Sequence, residues 1–197
     1  MSASATTLPT VDRVRDVATV LFYEKGYHAT TMREIAKHVG VKAGSLYNHF
    51  PGKQHILFHI CRGAVSTLLE GALVRLDGLV EPDDRMRELV RWHVTFHARN
   101  RYEARVADEQ LHALEPENLQ AVLVLRDQYE GLIKDLLRAG RDTGQWRVED
   151  VSMIAFAIET MCTQVDVWYR EAGPLSPDQI GDIFANFILA ALQKRAS

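Results

Sequence analysis

Apolar side chains recur at intervals of three and four along nearly the whole chain. From Val11 to Lys25 the repeat is Val14, Val17, Ala18, Leu21 and Phe22, the stripe of an amphipathic helix. Gly26 supplies its C-terminal stop. Thr31 followed by Glu34 is a capping-box pattern and opens a second helix whose apolar side is Ile35, Ala36 and Val39. Gly40 closes that helix. A short helix of about two turns fits Ala43 to His49, Pro51-Gly52 breaks the chain, and a long helix is predicted from Lys53 to Leu76. Beyond it, helices are predicted from Asp83 to Asn100, Tyr102 to Leu114, Pro116 to Ala139 and Glu149 to Glu171, punctuated by Gly140, Gly144 and Gly173-Pro174. The last helix starts with Ser176 as N-cap, Pro177 at the first helical position and Gln179 at the third. No segment alternates with the period of a strand, so the fold class is all-α.

Charge divides this helical chain in two. Residues 1–62 hold 8 Lys and Arg against 4 Asp and Glu, a balance of +4; the remainder holds 15 against 22, or −7, and together they make the net −3. A basic head on an acidic body suggests that the head meets a polyanion. We therefore expect a disordered tail over 1–9, a helix-turn-helix domain over 10–55 and a ligand-binding and dimerisation domain over 56–197. The 2 cysteines, Cys61 and Cys162, exclude a disulfide framework and a cysteine-rich zinc module. No secretory signal and no uninterrupted run of about 18 apolar residues is visible, so a soluble cytoplasmic protein without a membrane partner is expected.

The head has the requirements of a helix-turn-helix, two short helices with a glycine at the turn, the second placed in a DNA major groove. Ala36 is small where the helices cross, and Gly40 suits the turn. Val41 and Leu46 pin the second helix while Lys42, Ser45, Tyr47, Asn48 and His49 stay polar and outward. Residues 13–60 resemble the DNA-binding domain of TetR-family transcriptional regulators. The resemblance is carried by Phe22-Tyr23-Glu24-Lys25-Gly26-Tyr27, by Thr30-Thr31-Met32-Arg33-Glu34-Ile35-Ala36, by the run from Gly40 to Phe50 and by Lys53. It implies that Thr31, Tyr47 and Lys53 hold phosphates and that Lys42, Ala43, Gly44, Ser45, Asn48 and His49 face the groove. Ala43 stands where many members carry a polar or basic residue, so that position reads at most a thymine methyl.

In the body, the segment from Glu149 to Glu171 is apolar on two faces. One is Met153, Phe156, Ala157, Met161 and Trp168; the other is Ile154, Ile158, Cys162, Val165 and Tyr169. The last helix carries Ile180, Ile183, Phe184, Phe187, Ile188 and Ala191. The resemblance implies that these two helices form an intersubunit four-helix bundle, hence a homodimer on a palindromic double-stranded operator. Trp92, Phe96, Tyr129, Met153, Phe156, Met161, Gln164 and Trp168 are candidates to line a pocket for a small apolar effector, although each alone also suits an ordinary core. Trp168-Tyr169-Arg170 with Gly173-Pro174-Leu175-Ser176 resembles a subgroup regulating lipid or steroid breakdown that senses acyl-CoA thioesters. Arg87, Arg91, Arg99, Arg101 and Arg105 would then meet the CoA phosphates or simply form a solvated face.

Two other chemistries compete. His93 and His97 are four apart and can share a helix face, with Asp108, Glu109 or His112 completing a metal site; a metal-sensing regulator would follow. His55 and His59 repeat the spacing without an obvious third ligand. An enzyme acting on the same ligand would need a phosphate loop, a nucleophile elbow or paired carboxylates, and the sequence offers none. No catalytic residue and no cofactor is expected.

Overall fold

The computed structural model describes residues 11–193, so the tail expected over 1–9 lies outside the described residues. Among the described residues there are ten α-helices and no strand. The head comprises α1 (Val11–Lys25), α2 (Met32–Val39) and α3 (Ala43–Tyr47), closed by the first turns of α4 (Lys53–Leu76). Val14, Ala18, Leu21 and Phe22 of α1, Ile35, Ala36 and Val39 of α2, Leu46 and Phe50 make its core. Thr31 caps α2 by accepting from the Glu34 N–H at 3.2 Å. The Glu34 side chain does not return to complete a capping box; it pairs with Lys25 at the end of α1 instead. Gly40 has φ +82°, a left-handed value that favours glycine, which lets Gly40 N and Val41 N both donate to Ala36 O.

The body adds α5 (Pro82–Arg99), α6 (Arg101–Glu109), a 3-10 turn (Leu111–Ala113), α7 (Pro116–Asp142), α8 (Val151–Thr163), α9 (Val165–Trp168) and α10 (Pro177–Leu192). The helix expected over 102–114 ends early, at Glu109, and gives way to the 3-10 turn. The continuous helix expected from Glu149 to Glu171 is broken at Gln164, and Asp166 in the following turn is buried. The break lets α9 turn onto α5 and α6. Ser176 and Gln179 form a reciprocal capping box at the start of α10.

α4 is the axis of the molecule. Ile56, Leu57, Ile60, Cys61, Ala64, Leu68 and Ala72 are buried against α1, α5, α6 and α7. By length and composition alone α4 is apolar enough to cross a membrane, with a window of mean hydropathy 1.3, although no unbroken apolar run is present. Its apolar positions are interrupted by charges, which hides them from a search for an unbroken run, and half of that window is buried inside the protein. α4 also couples head to body. Gln54 donates to Ala113 O at 2.6 Å and accepts from Glu115 N at 3.3 Å, while Tyr23 of α1 meets Tyr102 of α6 edge to face at 4.7 Å.

α10 lies along α5 in the most extensive helix packing of the body. A side chain at Gly181 would meet Arg91 Cα at 3.1 Å, so the absent Cβ permits this approach. Arg91 pairs with Asp182 at 3.1 Å, Arg99 with Asp178 at 2.7 Å, and Arg87 donates to Asn186 at 2.6 Å. Three of the arginines weighed for CoA phosphates are therefore engaged in holding α10.

Candidate nucleic-acid interface and effector cavity

α3 presents the polar residues of the head. Leu46 is completely buried, which anchors the helix, whereas Lys42, Gly44, Tyr47 and Asn48 are exposed and Ala43, Ser45 and His49 are half-buried. Thr31 is exposed at the N-terminus of α2. The exposed Thr31, Lys42, Tyr47 and Asn48 suit phosphate oxygens and base edges, whereas Ala43 packs on the core and His49 Nε2 is enclosed without a partner. Lys53 differs. Its ammonium donates to Tyr27 O at 2.6 Å, Thr30 O at 2.7 Å and His28 O at 3.3 Å, and lies 4.3 Å from the Tyr27 ring centre. It ties the start of α4 to the α1–α2 loop, and partial burial lowers its pKa.

A partly open cavity of about 510 Å³ lies between α4, α5, α6, α7 and α8. Of the sequence candidates, Phe96, Tyr129, Phe156 and Gln164 line it, beside Ala64, Val65 and Leu68 of α4. The other candidates lie elsewhere. Trp92 fills the space over Gly71, donates to Leu68 O at 2.7 Å and carries Arg75 on its ring at 3.8 Å. Met161 packs against the core, while Met153 and Trp168 are 63% and 48% exposed.

The other side of the cavity is polar. His93 bonds Tyr129 Oη through Nδ1 at 2.9 Å and Thr163 Oγ1 through Nε2 at 3.0 Å. Both nitrogens are thus engaged, and burial, reinforced by His97, pushes its pKa well below the usual value. The His93 and His97 rings stack, with centres 4.7 Å apart. His97 has its pKa lowered to about 4 by burial, a shift that Asp108 opposes and Arg126 supports. Arg126 pairs with Asp108 and donates to Ala107 O at 3.2 Å. Glu159 on the rim has a raised pKa, from burial and from Glu130. The sequence reading passed over Arg126, Thr163 and Glu159; a lone acid inside the apolar α8 was a legible signal for the last.

Arg101, Arg105 and Arg170 line a second space of about 330 Å³ with Tyr23 and Asp166, at the junction with the head. Arg105 pairs with Glu109, and Arg101 bonds Tyr102 Oη at 2.7 Å. His112 sits exposed on the 3-10 turn. On the outer side of α8, α9 and α10, Phe187 is 64% exposed, Met153 63%, Phe156 62% and Ile183 52%, an unpartnered apolar face on the two helices expected to pair.

Residues 14–60 match the family model described as bacterial regulatory proteins of the tetR family, and residues 80–192 match the tetracyclin repressor-like C-terminal domain. The chain is similar to the HTH-type transcriptional repressor KstR2 of Mycobacterium tuberculosis, with 28% identity over 91% of this chain and 90% of the relative. Among solved structures it is similar to a tetR-family regulatory protein from Rhodococcus RHA1, with TM-score 0.89 and 27% identity over 96% of this chain and 100% of that one. It is also similar to the regulator PfmR of Thermus thermophilus, with TM-score 0.85 and 28% identity over 93% and 100%. With its second and larger part matched as well as its helix-turn-helix, the chain belongs to the tetR family of bacterial regulatory proteins.

Proposed function

We propose that this chain is a cytoplasmic, homodimeric repressor that grips a palindromic operator through α3 and is released when a small apolar ligand or the acyl part of an acyl-CoA thioester enters the body cavity. The observation that carries the reading is that cavity. It has one apolar wall, one hydrogen-bonding wall, and runs between α4, which reaches the head, and α8, which bears the exposed apolar face. Phe96, Phe156 and the α4 wall suit an acyl or alicyclic group, while Tyr129, Gln164 and Arg126 suit its oxygens. The volume takes the acyl part only, leaving the nucleotide of a thioester outside. Likeness to a transcriptional repressor along most of the chain supports the sign of regulation. Within this reading, Thr31 and Tyr47 serve the backbone, Lys53 contributes mainly by holding the α1–α2 loop in place, and Lys42, Ala43, Gly44, Ser45, Asn48 and His49 serve the bases. The head ends near residue 55, inside α4, so a shift of that helix moves the head directly. The two forms must differ in ligand affinity; about 2 kcal/mol of coupling changes operator affinity about thirtyfold.

The test is fluorescence anisotropy with DNA from around the protein's own gene, a random duplex as control, and a panel of acyl-CoA thioesters. Selective, salt-sensitive binding that one thioester weakens at least tenfold is the expected result. Selective binding untouched by every thioester would discard that ligand class and keep the regulator.

A further inference from the structure

His97 from α5, Asp108 from α6 and Asp166 from α9 each bring one donor atom to a common point, all within 4.8 Å of one another. His97 and Asp166 are only 5% and 6% exposed. His97 makes no hydrogen bond to any described residue; its Nδ1, like Asp166 Oδ1, is enclosed without a partner. A buried polar atom left unpaired is costly, and an unpaired buried carboxylate oxygen more so. His97 and Asp166, on separate helices and each with an enclosed unpartnered atom, also bring a ligating atom to one place, where a positively charged occupant would serve both.

We propose that His97, Asp108 and Asp166 form a binding site for a divalent first-row transition cation, one per protomer. An imidazole nitrogen with two carboxylate oxygens suits zinc, cobalt, nickel or manganese better than calcium, which prefers an all-oxygen shell. Donors about 2.1 Å from such a metal lie about 3 to 4 Å from each other, so the three side chains need to close by about 1 Å. Arg126 pairs with one oxygen of Asp108 and leaves the other for the cation. Arg101, Arg105 and Arg170 line the space beside Asp166, but Arg105 pairs with Glu109, Arg101 with the Tyr102 hydroxyl and Arg170 with the carbonyls of Val167 and Tyr169, so none is bonded to the Asp166 carboxylate. His93 is fixed by Tyr129 and Thr163 and stacks on His97, so it serves as a support that orients the ligand ring. The sequence pairing of His93 with His97 therefore gives way to a site in which His97 joins acids from two other helices. The cation would staple α6 to α5 and α9. His97 and Asp108 also line the effector cavity, and α6 packs on α1 of the head, so the staple joins the cavity wall to the head.

The site can be tested without operator or effector, so its failure leaves the proposed function untouched. Metal-stripped full-length protein is titrated with Zn2+ by calorimetry and with Co2+ by visible absorption. One equivalent per protomer is expected, weakened at least tenfold in His97→Gln and in Asp166→Asn and unchanged in His112→Gln on the exposed turn. X-ray absorption of the zinc-loaded parent protein needs no variant and is expected to show one imidazole with oxygen ligands. Absence of stoichiometric binding in the parent, equal affinity in both ligand variants, or a sulfur-rich shell would overturn the proposal. In the first case ordered water fills the role.

Discussion

Replacing Lys53 by Met separates two roles for one residue. Family resemblance makes Lys53 a phosphate contact, whereas its ammonium already donates to the carbonyls of Tyr27, Thr30 and His28. Hydrogen bonds from a charged group contribute about 1.5 to 3 kcal/mol each. Here the third is long at 3.3 Å and the group is partly solvated, which discounts the set to about 2 kcal/mol in all. For a chain of this size that lowers the melting temperature by about 4 to 8 °C. Methionine keeps an apolar stem of similar length and removes the ammonium together with its cation–π contact to Tyr27, so the loss measures the charge rather than the packing. Each phosphate contact adds about 0.9 to the slope of log affinity against log salt, and a dimer would lose about 1.8 if both lysines served the backbone. The geometry predicts a clear fall in thermal stability, a moderate loss of operator affinity and a slope reduced by less than one. Scanning calorimetry and anisotropy titrations at four salt concentrations decide it. An unchanged melting temperature with a slope lower by about two would refute the tether.

Tyr129→Phe removes the partner of His93 Nδ1 at the buried end of the cavity, and a stability loss of about 1 to 2 kcal/mol is expected in urea unfolding. Phe187→Glu replaces the most exposed phenylalanine of α10 by a charge; sedimentation is expected to show monomers at concentrations where the parent is dimeric, with operator affinity falling in parallel. Cys61 is pushed up to about 12 by burial, against about 8.5 for a free thiol. The folded state therefore keeps its proton through pH 9 to 12 while the unfolded state releases it, so this group's contribution to stability is whole below pH 8 and is lost as pH rises through that window. At pH 8 a thiol reagent is expected to label Cys61 only at the rate of unfolding; immediate labelling of native protein would contradict the burial.

Local sequence determined most helix boundaries because their causes lie within a few residues of each end. Ser176 and Gln179 cap α10 reciprocally, and Gly40 turns the chain between α2 and α3 through a left-handed conformation. The exposure of Lys42, Tyr47 and Asn48 was likewise legible, since Val41 and Leu46 had to face inward, whereas the packing of Ala43 on the core was not. Elsewhere a distant partner outweighed the local pattern. Glu34 leaves the capping box for Lys25, and no glycine or proline announces the break at Gln164, which follows from turning α9 onto α5 and α6. Arg87, Arg91 and Arg99 are exposed by helical periodicity, but their partners lie on α10, roughly 80 to 100 residues later. The i, i+4 spacing placed His93 and His97 together and could not say that Tyr129 and Thr163 would occupy one ring while Asp108 and Asp166 converged on the other. Periodicity fixes which side of a helix faces inward; only the packed bundle decides which side chains meet there, because those meetings join residues whose separation along the chain carries no local signal.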